Sequence, residues 1–75
     1  MNNKRRQLLK AWIKSIEQIK RDLERILSDE EDSFEMMPEG IKGTLNGMNS
    51  EEAMDKMNEA IVCIEEAVEV IEEII

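Results

Sequence analysis

The chain has 75 residues, of which 41% are hydrophobic and 37% are charged, and its formal net charge is −8. It contains one cysteine and no histidine, which excludes an internal disulfide and the usual histidine-containing zinc and di-iron sites. Chains this short usually need a disulfide, a metal or oligomerisation for firm stability, and oligomerisation is the route that remains.

The charges are divided unevenly along the chain. Residues 1–28 carry eight Lys/Arg and three Asp/Glu, a net charge of +5, and residues 29–75 carry two and fifteen, a net charge of −13. Nucleic-acid binding normally requires a basic face, so no nucleic-acid partner is expected. The cluster Lys4–Arg6 could touch phosphate or acidic lipid, but a solvated helix end is its more common role.

No apolar run approaches the roughly 20 residues that span a bilayer, and no secretory signal is evident. The sequence therefore predicts a cytoplasmic protein with no membrane segment.

The first predicted element is a long amphipathic helix over about residues 4–35. Its apolar residues recur at alternating intervals of three and four, which is the a/d pattern of a coiled coil. Leu8, Ile13 and Leu27 flank this seam and make the apolar stripe wider than a two-stranded seam. Pro38 forbids continuation of the helix. The predicted seam positions are Leu9, Trp12, Ile16, Ile19, Leu23 and Ile26.

A connector over about residues 36–49 holds the only proline and all three glycines. The glycines allow backbone conformations with positive φ. Ile41, Leu45 and Met48 have no heptad partner, so they are expected either to plug the end of the helical bundle or to face a ligand. The candidate binding surface comprises Phe34, Met36, Met37, Pro38, Ile41, Lys42 and Gly43.

The second long helix is predicted from about residue 50 to residue 75. Asn49 or Ser50 is expected to cap its N-terminus, with Glu52 at the spacing of a capping box. Its apolar residues again recur at intervals of three and four, and an alanine repeats every seven residues on one flank, where small side chains let another helix approach closely. The flank consists of Ala53, Ala60, Ala67 and Ile74, and the seam consists of Met54, Met57, Ile61, Ile64, Val68, Ile71 and Ile75.

The predicted fold is all-α, a single domain over residues 1–75 whose two helices form an antiparallel hairpin. The basic start of the first helix then lies beside the acidic end of the second, which offsets the unfavourable charge at each helix end. A lone hairpin leaves apolar area in water, so we expect a homodimer that forms a four-helix bundle, with a higher homo-oligomer as the alternative. The predicted oligomer seam comprises Trp12, Ile16, Ile19, Leu23, Ile61, Ile64, Val68 and Ile71.

The acidic segments do not predict a metal site. The run that begins at Asp29 has Phe34 at its sixth position, where a calcium EF-hand loop requires glycine. Glu65, Glu66 and Glu69 are similar to the magnesium-binding EExxE motif of all-α nucleotide pyrophosphohydrolases, but the heptad register predicts that they face water or the edge of the seam. No metal and no cofactor are expected, and a metal-dependent nucleotide hydrolase remains an alternative.

The nucleophilic side chains lack the partners that catalysis requires. Cys63 falls away from the seam, and no histidine is present to act as its base. The serines lack a base for the same reason, and Ser50 is better explained as a helix cap. The sequence therefore predicts no catalytic residue and no enzyme activity.

The connector and the second helix resemble a family of short uncharacterised acidic helical proteins from Gram-positive bacteria, their phages and mobile elements. Members of that family have an MPE-x-[L/I]-x-G turn between a charged first helix and a Met/Ala/Glu-rich second helix. The resemblance spans roughly residues 20–73, and the connector here is longer than the family's. The matching residues are Phe34, Met37, Pro38, Glu39, Ile41, Gly43, Ala53 and Met54.

The resemblance implies a mobile-element setting, in which small acidic proteins without catalytic residues often act by binding. The expected function is that of a non-enzymatic binding protein that inhibits or sequesters a host factor in an anti-defence role. The host factor would be either a protein or a nucleotide signal. A structural coiled-coil oligomerisation or adaptor module with no ligand is the alternative, and it predicts that substitutions at Ile41 or Lys42 have no effect.

Overall fold

The chain folds into a slender helical hairpin, described for all 75 residues by a computed structural model. Helix α1 spans Asn3–Glu35, the short helix α2 spans Glu39–Lys42 and helix α3 spans Leu45–Glu72. No strand is present, so the all-α prediction is confirmed. Helix α1 packs against α3, and the Cα trace measures 58 × 15 × 12 Å. No helix has a stretch apolar enough to cross a bilayer.

Two contacts show that α1 and α3 run antiparallel. Lys20 Nζ lies 3.8 Å from a carboxylate oxygen of Glu65, and Ser50 Oγ donates a 2.6 Å hydrogen bond to Glu30 Oε1. A later residue of α1 therefore meets an earlier residue of α3. The basic start of α1 lies beside the acidic end of α3, as predicted, but Lys20–Glu65 is the only ion pair that joins the two helices. An exposed pair contributes about 0–1 kcal/mol, so apolar packing holds the hairpin together.

The packing seam uses a different register of α1 from the predicted one. Leu9, Ile16 and Leu23, at the predicted a positions, are half-buried as expected. Their neighbours in the seam are Ile13 and Leu27, at the predicted e positions, which are the only buried hydrophobic residues of the chain. The predicted d positions lie outside the seam and are exposed. These exposed residues are Trp12, Ile19 and Ile26.

Helix α3 contributes the seam that the sequence predicts. Its residues at alternating intervals of three and four are all half-buried, because α1 covers this stripe and nothing covers the rest of the helix. Trp12 and Ile19, two members of the predicted oligomer seam, face away from α3. The other six members lie at the seam between α1 and α3, and they are Ile16, Leu23, Ile61, Ile64, Val68 and Ile71.

Helix α3 begins at Leu45, five residues before the predicted start, and α2 occupies part of the predicted connector. The predicted caps Asn49 and Ser50 therefore lie inside α3. Thr44 precedes the helix in an extended conformation, with φ −89° and ψ 178°, and its side chain makes no capping hydrogen bond. Glycine is a poor helix former, so Gly47 makes this segment resemble a loop, but contact with α2 favours the helix.

Ser50 belongs to the packing seam rather than to a helix cap. It is 5% exposed, and its hydroxyl donates a hydrogen bond to Glu30 on α1. Glu30 occupies a seam position of α1, where the apolar pattern weakens. A polar group that is removed from water needs a hydrogen-bond partner, and Ser50 supplies one. The two residues therefore form a polar contact across the seam near the closed end of the hairpin.

Replacing Ser50 with alanine is expected to lower the free energy of unfolding by about 1–2 kcal/mol, because it removes the partner of the Glu30 carboxylate. Urea denaturation at one protein concentration, followed by circular dichroism, measures the change. Ser33→Ala is the matched control, since Ser33 is exposed on α1 and its substitution should change stability by less than about 0.5 kcal/mol. Equal stabilities for the two variants would contradict the role of Ser50.

The hairpin leaves most of the chain in contact with water. Its accessible surface is 5700 Å², whereas a compact monomer of 8.7 kDa exposes about 4,700 Å² by the usual scaling of surface with mass. The excess is about 1,000 Å² per chain. Large apolar side chains contribute to this excess along α1 and at the closed end of the hairpin.

Candidate binding surface at the hairpin tip

The closed end of the hairpin is a hydrogen-bonded turn rather than an extended linker. Helix α1 ends at Glu35, because Pro38 follows with φ −59° and ψ 147° and has no N–H to donate. The carbonyl of Pro38 accepts the N–H groups of Ile41 at 2.9 Å and Lys42 at 3.1 Å, which forms α2. The carbonyl of Ile41 accepts the N–H of Thr44 at 3.0 Å, and α3 begins at the next residue.

Gly47 allows α2 to pack against the first turns of α3. A Cβ atom at this position would overlap the backbone carbonyl of Lys42. None of the three glycines adopts the positive φ that glycine allows. Gly47 is needed because two backbones approach closely, whereas a Cβ atom at Gly40 or Gly43 would meet nothing within 4 Å.

Lys42 makes two contacts within the turn, one of them with α1. Its Nζ lies 5.3 Å from the centroid of the Phe34 ring and 3.6 Å from a carboxylate oxygen of Glu39. A cation–π contact contributes about 0.5–1 kcal/mol at an exposed site. Phe34, Met37 and Lys42 are half-buried. These three members of the predicted binding surface therefore help to build the turn.

The other predicted members of the binding surface are exposed. Met36 is 84% exposed, and it directly follows the last residue of α1. Ile41 is 43% exposed on α2, and Pro38 and Gly43 are exposed beside it. These residues face water rather than a core, so they are free to contact another molecule.

Two further apolar side chains lie at the same end of the hairpin. Leu45 is 70% exposed and Met48 is 60% exposed, and their i,i+3 spacing puts them on one side of α3. They do not pack into the seam between α1 and α3. Their lack of a heptad partner was the signal that could have added them to the predicted surface. We call the four exposed apolar residues the tip surface: Met36, Ile41, Leu45 and Met48.

The tip surface is surrounded by negative charge. Residues 29–57, the half of the hairpin that includes the tip, carry nine Asp/Glu and two Lys, a net charge of −7. In the other half, residues 1–28 and 58–75, the charges nearly cancel: eight Lys/Arg against nine Asp/Glu give a net charge of −1. A molecule that approaches the tip therefore meets a negative potential, which favours a basic ligand and opposes an anionic one.

The acidic residues outside the tip are spread along the helices rather than clustered. No group of three or more Cys, Asp or Glu side chains is placed to hold a metal ion. Glu65 pairs with Lys20 at the edge of the seam, and Glu66 and Glu69 are exposed. Cys63 is an exposed free thiol. Glu65, Glu66 and Glu69 are similar to a magnesium-binding motif in sequence, but their side chains do not converge on one point.

Comparison of the chain with protein-family models, curated proteins and solved structures finds no match. The resemblance of the turn to the mobile-element family therefore stays a prediction.

Proposed function

We propose that this chain is a non-enzymatic binding protein whose tip surface contacts a host factor and thereby inhibits or sequesters it. The observation that carries the proposal is the exposure of four apolar side chains on a hydrogen-bonded turn. Exposed apolar patches rimmed by polar residues are typical of interaction sites. The flexible thioethers of Met36 and Met48 suit an adaptable contact.

A host protein with a basic surface fits the tip better than a nucleotide does. The tip half of the hairpin has a net charge of −7, which repels phosphate. Lys42 is the only cation of the turn, and it already contacts Glu39 and Phe34. A basic protein surface with an apolar centre would complement both the charge and the exposed side chains. Sequestration of a nucleotide signal is therefore the less favoured form of the proposal.

The proposed setting is a phage or mobile element that acts in the host cytoplasm, where the host factor belongs to a defence system. This setting is supported by the resemblance of the turn around Pro38 and by the small, acidic and helical character of the chain. The resemblance supplies no residue role, so the tip surface is assigned from its exposure and charge alone.

The proposed active form is a homodimer in which two hairpins make a four-helix bundle. One hairpin buries only Ile13 and Leu27 among its hydrophobic residues. It also leaves Trp12, Ile19 and Ile26 exposed on α1. A second hairpin would cover these side chains and supply the packing that a 75-residue chain lacks by itself.

The test compares the wild-type chain with a tip variant in bacteria that carry a panel of defence systems and are challenged with phage. The wild type is expected to restore phage plating against at least one system. The double variant Met36→Asp, Ile41→Asp is expected to lose this effect, because carboxylates disrupt an apolar contact. Its affinity for the host protein that the wild type binds is expected to fall at least about tenfold.

Val62→Asp is the matched control, since Val62 is 53% exposed on α3 and lies away from the tip. It should retain the wild-type effect. Full activity of the double tip variant, or the same loss in the control, would contradict a role for the tip. Circular dichroism and mass measurements on each variant separate lost binding from lost folding.

A structural oligomerisation or adaptor module with no ligand is the second candidate function. The exposed column Trp12, Ile19 and Ile26 favours it, because this column supports assembly without any role for the tip. Under this candidate the double tip variant is silent, while Ile64→Asp abolishes function by disrupting the seam. The two candidates therefore predict opposite outcomes for the double tip variant.

A further inference from the structure

One side of the hairpin is apolar along both helices. On α1, Leu8, Trp12, Ile19 and Ile26 are exposed, and their spacing puts them on one side of the helix. Ile71 of α3 lines an open groove together with Leu8 and Trp12, so this flank of α3 lies on the same side. Alanines occur four and eleven residues before Ile71 and continue that flank. We call these side chains the apolar face: Leu8, Trp12, Ile19, Ile26, Ala60 and Ala67.

The opposite side of the hairpin is charged. It carries the ion pair between Lys20 and Glu65. Val62 precedes Glu65 by three residues and shares its flank, but it is an isolated apolar side chain among acids. The two sides of the hairpin therefore differ in their suitability for packing against another helix pair.

We infer that a second copy of this chain covers the apolar face in the antiparallel orientation, so that the two tips lie at opposite ends of the dimer. This inference specifies the proposed dimer and rests on the proposed function for the role of the tips. The area, the spacing of the apolar side chains and the charge distribution each support it.

The excess surface of the chain matches what a stable dimer buries. The chain exposes about 1,000 Å² more than a compact monomer of its mass, and a standard protein interface buries about 800 Å² on each partner. The apolar face extends from Leu8 to Ile26, which is about 27 Å at the helical rise of 1.5 Å per residue. A second hairpin laid along this face accounts for the missing burial.

The α1 part of the apolar face is complementary to itself. Ile19 lies seven residues from both Trp12 and Ile26. A two-fold axis that lies in the interface at the level of Ile19, perpendicular to the helix axes, therefore brings Trp12 of one copy opposite Ile26 of the second copy. Ile19 then packs against its own equivalent, so all three side chains of the column find an apolar partner.

The same axis places the alanines of α3 against each other. Counting along the helices from the two contacts between them puts the level of Ile19 at residues 61–66 of α3, which lies between Ala60 and Ala67. The axis therefore brings Ala60 of one copy opposite Ala67 of the second, where small side chains permit close approach of the helices. The two contacts used are Lys20–Glu65 and Ser50–Glu30.

Charge selects the antiparallel orientation over the parallel one. A parallel dimer would bring two halves with a net charge of −7 each to the same end. The antiparallel dimer puts them at opposite ends of the 58 Å hairpin, and charges separated by more than the Debye length of about 8 Å at physiological salt are largely screened from each other. It also places the basic cluster Lys4–Arg6 beside the acidic segment Asp29–Glu35 of the second copy.

The antiparallel dimer is bivalent. The two tip surfaces face outwards at opposite ends, and neither is covered by the interface between the copies. One dimer can therefore hold two copies of its partner, or two sites of one large partner assembly, with the gain in apparent affinity that linked sites provide.

Sedimentation of the wild-type chain and of two variants tests the interface. The wild type is expected at twice the monomer mass of 8.7 kDa, and Ile19→Glu is expected at the monomer mass because it puts two carboxylates at the two-fold axis. Val62→Glu, on the charged side, should remain a dimer. A monomeric wild type, or a dimer that survives Ile19→Glu but not Val62→Glu, overturns the inference. The fluorescence of Trp12 reports whether the apolar face is covered. If a soluble quencher is excluded from Trp12 only after another protein or lipid vesicles are added, that added partner covers the face and the inference is overturned.

Cross-linking of the native Cys63 tests the orientation without a substitution. Cys63 is exposed and lies at the level of the axis, so a short bismaleimide should join the two copies in the antiparallel dimer. In the parallel dimer each α3 would pack on α1 of the second copy, so the two α3 helices would lie diagonally across the bundle with their thiols too far apart for the reagent. A dimer that is not cross-linked therefore overturns the antiparallel orientation. Failure of the proposed function gives a different result: the dimer forms and is cross-linked, but variants of the tip surface bind the partner as well as the wild type does.

Discussion

Replacing Leu27 with aspartate is expected to unfold the hairpin, with loss of most of the helical circular dichroism signal at 25 °C. Leu27 is 7% exposed and is one of two buried hydrophobic residues. Truncation of a buried leucine alone costs about 2–5 kcal/mol, and an unpaired carboxylate in the seam adds to that cost. A single core in a chain of this size supplies about 3–5 kcal/mol of stability, so the substitution removes most or all of it.

Val70→Asp provides the control for this prediction. Val70 is exposed on α3, and the substitution should leave the helical signal and the melting temperature close to those of the wild type. Ile26→Asp is the third variant, because Ile26 belongs to the a/d seam that the sequence predicts. If Ile26→Asp unfolds while Leu27→Asp behaves like the control, then the predicted seam is the one that faces α3. Thermal melts of the three variants at one concentration therefore decide which column of α1 faces α3.

Replacing Gly47 with alanine is expected to lower the free energy of unfolding by about 1–3 kcal/mol, the usual cost of forcing extra volume into a packed site. The new methyl group would overlap the backbone carbonyl of Lys42, and a backbone atom cannot rotate away as a side chain can. The turn must therefore open, which displaces α2 and the exposed Ile41. Urea denaturation measures the loss of stability, and partner binding measures the disturbance of the tip.

Gly40→Ala is the matched control for Gly47→Ala. Gly40 lies in α2, and a Cβ atom at this position would meet nothing within 4 Å. Its substitution should be neutral or should stabilise by about 0.4–1 kcal/mol, because alanine restricts the unfolded chain. If both variants have the stability of the wild type, then the backbones of α2 and α3 do not approach closely at Gly47.

The two long helices and their antiparallel arrangement could be predicted from the sequence, because heptad spacing and the turn at Pro38 are local signals. The register of α1 could not. Three apolar columns lie side by side on this helix, and a hairpin has room for only two of them. The spacing of Trp12 and Ile19 is as good as that of Ile13 and Leu27, so the choice depends on how α3 approaches.

The start of α3 and the role of Ser50 were missed for a related reason. Asn49 and Ser50 have the chemistry of helix caps, and Gly47 has low helix propensity. Tertiary contacts outweigh both preferences: Gly47 packs against the carbonyl of Lys42, and Ser50 bonds to Glu30 across the seam. Neither contact has a sequence signature, because each joins residues that only the folded turn brings together.

The predicted binding surface divides into an exposed part and a part that builds the turn. Met36, Pro38, Ile41 and Gly43 are exposed as a binding surface requires. The remaining members of the prediction build the turn instead, since Lys42 lies over the ring of Phe34. Sequence position places these side chains at the tip, but only the packing of α2 separates those that support the turn from those that face outwards.

The distance between spin labels on the two tips depends at once on the hairpin, the dimer and its orientation, so one measurement tests all three. The label is attached at Glu39→Cys in a Cys63→Ser background, since the Glu39 side chain is 92% exposed. Glu35, the last residue of α1, lies 16 residues beyond Ile19, or about 24 Å from the axis on each side, and Glu39 follows in the turn at the tip. Dipolar spectroscopy is expected to give a distance of about 50–60 Å between the two labels. A distance below about 30 Å, as in a parallel dimer with hairpin tips together, or no dipolar coupling between chains, would contradict the antiparallel dimer.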